Sequence, residues 1–257
     1  MPMFHYRGHF GRRRAASHDA GRDPAPAVDF LAGLADGGPV LELAIGTGRV
    51  ALPLAARGLA VEGVEGSPEL VQRLRARPGG ADLPVVVGDL ADVAVRGRFR
   101  LVYLIFDTLF NLVDADRQAD CLRNVARVLT PGGAFVVEAF VPDLARFERE
   151  ERQARMPSVT EDSAAPRLHR YDRAAQTFIR QTLTYSAGGV RLWPFGMHYL
   201  WPGQIDRLAE RAGLRLEARY AGWRGEVFDA ASTDHVSVYR KPGGGSPGRE
   251  APGSRVP

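Results

Sequence analysis

The sequence predicts an α/β protein: a doubly wound, mostly parallel sheet of seven strands with a small antiparallel sheet inserted into it. Three observations carry that prediction. Short apolar runs alternate with amphipathic stretches over residues 28–140, the grammar of βαβ units. Over residues 141–201 the pattern changes to strand-like alternation, with two of the runs joined across Ala187-Gly188-Gly189. It returns to a helix and two strands over residues 202–241. The expected organisation is a core at 28–140 plus 202–241, an insert at 141–201, a leading segment or lid at 1–27, and a disordered tail at 242–257, where Gly, Pro, Ser and charge leave almost no apolar residue.

The elements follow in order. Pro24 to Val28 punctuates the entry to a first helix at 28–35, which Gly37-Gly38-Pro39 ends. Val40-Leu41-Glu42-Leu43-Ala44 reads as a buried strand, and a helix at 49–57 stops at Gly58. Residues 60–64 make the second strand, and 68–76 the second βα helix, with Ser67 as N-cap and Pro68 at the first helical position. Strands are expected at 85–87 and 100–106. A long amphipathic helix at 116–129 is closed by Thr130-Pro131-Gly132-Gly133 before a fifth strand at 134–139. The insert reads as antiparallel strands at 167–173, 177–186 and 190–200. A helix at 204–212, closed by Gly213, then leads to strands at 214–220 and 235–240.

Composition excludes several classes. At 257 residues, 45% apolar and 25% charged, the chain is long enough for a full core and ordinary for a globular one. No run approaches the roughly 18 apolar residues of a membrane span, and the amino end lacks a signal-peptide core, so a cytoplasmic location is expected. Cys121 is the only cysteine, which excludes an internal disulfide and a multi-cysteine zinc site; it reads as a semi-buried thiol, and no metal is expected. Net charge is +4, yet Lys241 is the only lysine and the arginines are interleaved with acids, so no nucleic-acid surface is expected and Arg12-Arg13-Arg14 reads as a solvated turn.

The segment Glu42-Leu-Ala-Ile-Gly46-Thr-Gly48-Arg-Val-Ala51 carries the first chemistry. Glycines at a strand-to-helix turn let backbone approach a ligand, and the helix start offers unpaired N–H groups. Gly46-x-Gly48-x-x-Ala51 also satisfies the dinucleotide fingerprint, and such turns occur with purely structural use. Glu65 ends the second strand about twenty residues on, where an acid can accept ribose hydroxyls, and Asp89 ends the third. Ligands of open parallel sheets bind beyond the carboxyl ends of the strands, so Glu42, Glu65 and Asp89 are expected to converge there.

With these residues in place, the chain resembles the class I S-adenosylmethionine-dependent methyltransferase family, whose core is Rossmann-like, and in particular its actinobacterial small-molecule members. The resemblance implies S-adenosylmethionine as cofactor. The turn at Glu42, Ala44, Gly46, Gly48 and Arg49 looks like the loop that cradles the amino-acid portion. Glu65, followed by Gly66 and Ser67, stands at the ribose-binding acid. Asp89 matches the partner of the adenine amino group, with the Leu90 N–H facing a ring nitrogen. Residues 101–106 followed by Asp107-Thr108-Leu109-Phe110-Asn111 resemble the segment beside the methyl donor, which brings Phe106 and Asn111 to the cofactor. The Leu129 to Gly133 turn and the closing strand pair also look like the family's. Tyr6 and His5 would fold over the cofactor; a leader without that role is the alternative. Two departures are mild: the family more often has glycine at Ala44 and aspartate at Glu65.

The insert resembles that of small-molecule N- and O-methyltransferases of natural-product biosynthesis, including amino-sugar and peptide-modifying members. Nothing matches the Asn/Asp-Pro-Pro-Tyr signature of nucleic-acid amino-methylating enzymes. The implied reaction is methyl transfer to a nitrogen or oxygen of a small-molecule or peptide acceptor, with no nucleic acid or membrane involved. A hydroxyl acceptor needs a general base, and an amine needs a free lone pair. His198 and Tyr199 are the candidates, because their strand leads back into the core; His169 and Tyr171 come second. The plainer reading of His198 is one face of a half-exposed strand. Trp193, Phe195 and Trp201 read as lid packing, and Asp107 and Asn111 as orienting groups, whereas His18 and Asp19 carry no signal. A nicotinamide oxidoreductase or a non-catalytic S-adenosylmethionine-binding protein would use the same glycine turn.

Overall fold

The computed structural model describes residues 23–243. The expectations for Tyr6, His5, Arg12 to Arg14, His18, Asp19 and most of the tail lie outside the described residues. The core opens with α1 (Ala25–Ala35), β1 (Val40–Leu43), α2 (Ala51–Ala56), β2 (Val61–Glu65), α3 (Pro68–Arg75), β3 (Val85–Val87) and β4 (Phe99–Leu104). A 3-10 turn (Thr108–Asn111), α4 (Ala115–Val128) and β5 (Leu129–Phe140) follow. The insert holds α5 (Leu144–Arg152), β6 (Ser163–Ala164), β7 (Arg167–Asp172), β8 (Thr177–Ser186) and β9 (Gly189–His198). The chain then returns through α6 (Pro202–Arg211), β10 (Arg215–Tyr220) and β11 (Asp234–Arg240).

The main sheet has seven strands in the order β10-β11-β5-β4-β1-β2-β3. Strands β1 to β5 run parallel, and β11 is antiparallel to both β5 and β10. Two apolar layers lie on its two faces because successive strand residues point to opposite sides. Val40, Leu101, Tyr103 and Val136 pack with Leu31 of α1 and Leu54 of α2 on one side. Leu41, Leu43, Val102 and Leu104 pack with Leu122 and Val125 of α4 and Ile205 of α6 on the other. Glu42 is thereby turned toward the α1 and α2 side. The insert belongs to the second layer: Phe178, Phe195 and Met197 are buried in the same cluster as Phe110 and Phe140. Phe140 meets Phe147 and Phe178 at ring-centroid distances of 6.4 and 6.5 Å.

Several boundaries differ from the sequence expectation for identifiable reasons. Regular helix begins at Ala51, not Arg49, because Gly46 (φ 57°) and Gly48 (φ 76°) prolong the turn. The Thr130-Pro131-Gly132-Gly133 segment joins β5 through a register shift opposite Phe99 and Leu101, with the Thr130 hydroxyl donating to the Phe99 carbonyl at 3.1 Å. The unforeseen α5 is capped by Asp143, whose carboxylate accepts from the Arg146 N–H at 3.0 Å; it is anchored by Phe147, the one residue of 146–152 that is not charged. The two-residue β6 was also not expected.

Candidate active site

The glycine turn is shaped from two directions. From below, a Cβ on Gly48 would lie 2.4 Å from Leu74 of α3, so only glycine lets the turn sit this close to the helix. From the side, Glu65 at the end of β2 accepts the Gly46 N–H at 2.9 Å and the Ser67 N–H at 2.8 Å. One carboxylate thus ties the turn after β1 to the turn after β2. Ser67 in turn caps α3, its hydroxyl accepting from the Leu70 N–H at 3.3 Å. Between the ends of β2 and β3 the space is open: a Cβ on Gly66 would have only the Gly88 carbonyl within 4 Å, at 3.7 Å. Ala44 takes φ 58°, a left-handed value costing about 1 kcal/mol for a residue with a Cβ, at the position where glycine is the commoner choice.

Glu42 is set deeper than Asp89, though near enough to Glu65 and Arg49 to feel both charges. It lies one residue inside β1 and is 4% exposed. Its carboxyl accepts the Tyr103 hydroxyl from β4 at 2.8 Å and the Ala51 backbone N–H, so it braces the far side of the glycine turn. Burial pushes this carboxyl up to about 8, against the lowering effect of the two hydrogen bonds. Burial also raises Glu65, with its three backbone N–H donors opposing.

At the rim, Asp89 is exposed, accepts the Ala91 N–H at 2.8 Å and meets Arg117 of α4 at 3.1 Å, while Leu90 beside it is buried. After β4 the chain turns through Phe106 (φ 58°) and Asp107 (φ 59°), two successive left-handed residues that are not glycine. Strain of this kind collects where a site needs a fixed backbone direction. The Arg49 guanidinium lies 3.9 Å from the centre of the Phe106 ring, a cation–π contact joining the β1 turn to the β4 turn. Asn111 is 5% exposed, and its Oδ1 has no hydrogen-bond partner. A buried acceptor left this way is a place for a donor from a ligand. Open cradle, rim acids and orphaned amide oxygen together fit an adenosyl-amino-acid cofactor.

His198 ends β9 against this region. Gln118, fully buried in α4, donates its amide to the Leu109 carbonyl at 3.1 Å and to the His198 carbonyl at 2.8 Å. Its Oε1 must therefore face the His198 ring, 2.8 Å from Nδ1. Nδ1 carries the proton, and Nε2 of the neutral ring keeps its lone pair. Burial lowers the His198 pKa below its ordinary 6.5, which favours that neutral form near pH 7.

Comparison with known proteins agrees with this geometry. A family described as a methyltransferase domain matches residues 40–133. The solved CcbJ methyltransferase of Streptomyces caelestis is 35% identical, with a TM-score of 0.79 over 92% of this chain and 99% of that one. The chain is a class I S-adenosylmethionine-dependent methyltransferase. The cypemycin N-terminal methyltransferase of a Streptomyces species is 29% identical over 212 residues, 80% of this chain and 84% of the relative. S-adenosylmethionine-bound CalS10, an amino pentose methyltransferase from Micromonospora echinaspora, shares the fold at 20% identity and a TM-score of 0.64, over 89% of this chain and 95% of that one. S-adenosylmethionine is the cofactor, and the nicotinamide and non-catalytic readings fall away.

Within the methyltransferase, the residues expected at the site separate into groups. The structure joins Gly46, Glu65, Ser67, Arg49 and Phe106 by direct contacts, with Gly48 and Gly66 in the same turns, while Asp89 and the buried Leu90 follow β3 and the buried Asn111 ends the 3-10 turn after β4. Tyr199 is placed elsewhere: its ring is 1% exposed and packs on Phe147 at 5.2 Å, inside the seam between insert and core. Tyr171 belongs to the same seam, its hydroxyl donating to Glu150 at 2.5 Å and its ring stacked on Phe147. His169 lies beside it on β7. Phe195 packs as expected, whereas Trp193 and Trp201 are exposed. Cys121 is fully buried, which pushes its thiol up to about 12 and leaves it an inert core residue. Sequence reasoning missed Tyr103, Gln118, Glu138 and Trp223.

Asp89→Ala is expected to weaken S-adenosylmethionine binding about tenfold, the worth of one charge-assisted hydrogen bond. The unfolding midpoint should barely move, because the Arg117 ion pair it removes is exposed and Arg117 keeps Asp92 at 2.9 Å. Isothermal calorimetry and thermal melts check the two halves. Unchanged affinity would remove Asp89 from the adenine side.

Proposed function

We propose that this methyltransferase modifies a nitrogen or oxygen of a small-molecule or peptide acceptor bound between the donor cradle and the insert, with His198 taking the acceptor's proton. The observation that carries this reading is the amide orientation of Gln118, which leaves the Nε2 lone pair of His198 as the ring's proton-accepting atom. When bound, S-adenosylmethionine supplies a methyl carbon already activated by its sulfonium charge. The chain's own work is therefore to place the acceptor, exclude water and receive one proton. His198 neutral at Nε2 does the last. Asn111 Oδ1 orients an N–H donor beside the β4 turn, and the Phe140, Phe147 and Phe178 seam holds the insert closed on the core.

Nitrogen is favoured as the accepting atom. Proteins of the same fold include an amino pentose methyltransferase, a sugar N-methyltransferase and a glycopeptide N-methyltransferase, and the cypemycin enzyme acts at an N-terminus. Many arginines of the described residues are engaged by acids, as in Arg117 with Asp89, Asp92 and Asp120, Arg219 with Asp206 and Arg240 with Glu217, which supports an acceptor other than nucleic acid. No helix among the described residues is long and apolar enough to cross a membrane, and we place the reaction in the cytoplasm. The test is transfer of a radiolabelled methyl group from S-adenosylmethionine into an actinobacterial cell extract separated by size. Label in the low-molecular-weight or peptide fraction is the expected result; label retained only in nucleic acid would overturn it.

A further inference from the structure

The strained turn after β4 is held by one buried carboxylate that no motif in the sequence marks. Glu138, near the end of β5 and 6% exposed, accepts the Phe106 N–H on Oε2 at 2.9 Å. Its Oε1 accepts the indole N–H of Trp223, from the loop after β10, at 2.9 Å. The backbone of the same residue accepts the Asp107 N–H at 3.3 Å, and Asp107 returns a carboxylate to the Phe140 N–H at 2.7 Å. Trp223 is fixed from outside by Phe30 of α1, ring edge to ring face at 5.7 Å. Phe106, aimed by this arrangement, carries the Arg49 guanidinium over its ring. A chain of direct contacts therefore runs from the rim loop after β10, through Glu138, to the residue that follows Gly48 in the cradle.

We propose that Glu138 is a positioning residue for the methyl donor. It fixes the left-handed Phe106 and Asp107 pair, and through Phe106 the place of Arg49 beside the glycine turn. The logic rests on its two oxygens. A carboxylate accepts from both Phe106 and Trp223 at once, whereas an amide has one oxygen for two donors and turns its own N–H groups on the other. Glu138→Gln should therefore release either Phe106 or Trp223. Removing the indole N–H as well, with Trp223→Phe, frees the single amide oxygen to return to Phe106.

The experiment is calorimetric titration of S-adenosylmethionine into E138Q, W223F and the double variant, alongside thermal melts. We expect E138Q to lose about tenfold or more in donor affinity, W223F less than about threefold, and the double variant to bind more tightly than E138Q. A purely structural Glu138 would lower the melting midpoint of E138Q with affinity within about twofold of the parent and no recovery in the double variant; either result overturns the proposal. If E138Q does not fold, W223F decides: a loss of tenfold or more there would show that Trp223, not Glu138, holds the turn. These readouts concern the donor alone and are independent of His198 and of the acceptor's identity.

Discussion

Replacing His198 with alanine is expected to lower kcat about 10²- to 10³-fold while S-adenosylmethionine affinity stays within about twofold. The size follows from the loss of a positioned proton acceptor, and the selectivity from its location. His198 is held at the end of β9 by Gln118, whereas Glu65, Gly46 and Ser67 are tied to one another at the ends of β1 and β2. The pH profile gives the stronger check. Burial lowers the His198 pKa below 6.5, so in the parent enzyme kcat should rise with pH through a pKa below that value and be level by neutrality. H198A should lose that acidic limb. Retention of the limb with a small fall in kcat would move the proton acceptor elsewhere.

Glu42→Gln is expected to make the fold more stable at pH 8 and to flatten its pH dependence. The folded-state carboxyl titrates at about 8, against 4.5 as its ordinary value. Between those two values the folded chain holds a proton that the unfolded chain has released. Stability contributed by the protonated form is thus complete below pH 4.5 and lost as pH rises through 8. Over the whole window the change is on the order of 5 kcal/mol, since each pKa unit is worth about 1.4 kcal/mol. A glutamine keeps the contacts without the titration: its oxygen can accept the Ala51 N–H, and its amide can donate to the Tyr103 hydroxyl. Urea unfolding at pH 5 and pH 8 measures the difference. A parent protein equally stable at both, with E42Q less stable than the parent at each, would contradict it.

The fold was readable because its signals are local. Apolar runs, Ser67 before Pro68, and glycines after helices, as at Gly37, Gly58 and Gly213, act within a few residues of themselves. The glycine turn, Glu65 and Asp89 were readable for the same reason. The depth of Glu42 was not, because its partner Tyr103 is brought opposite it only by the parallel register of β1 and β4. Gln118 left a fainter trace. It stands three, four and seven residues before the buried Cys121, Leu122 and Val125, a polar residue on an apolar stripe, but its partners come from the β4 turn and the insert. Glu138 shows the same thing in strand form, one acid inside a run that is otherwise apolar and buried. Nothing local marks Trp223, whose role depends on β10 delivering it to the rim. Tyr199 was misplaced because β9 ends at His198: one residue past the ring that Gln118 orients, its own ring turns into the seam.

The insert leaves after β5, comes back at α6, and meets the remaining body along a seam of aromatic rings that needs only shape and greasiness to close. Such a joint is forgiving, because apolar side chains of similar volume can replace one another there at little cost. The liberty has polar limits, a reciprocal Gln176–Gln204 amide pair and Gln118. Gln118 spans the joint with three hydrogen bonds, and any replacement segment must offer it a carbonyl and an imidazole at the same spot or leave a buried amide stranded.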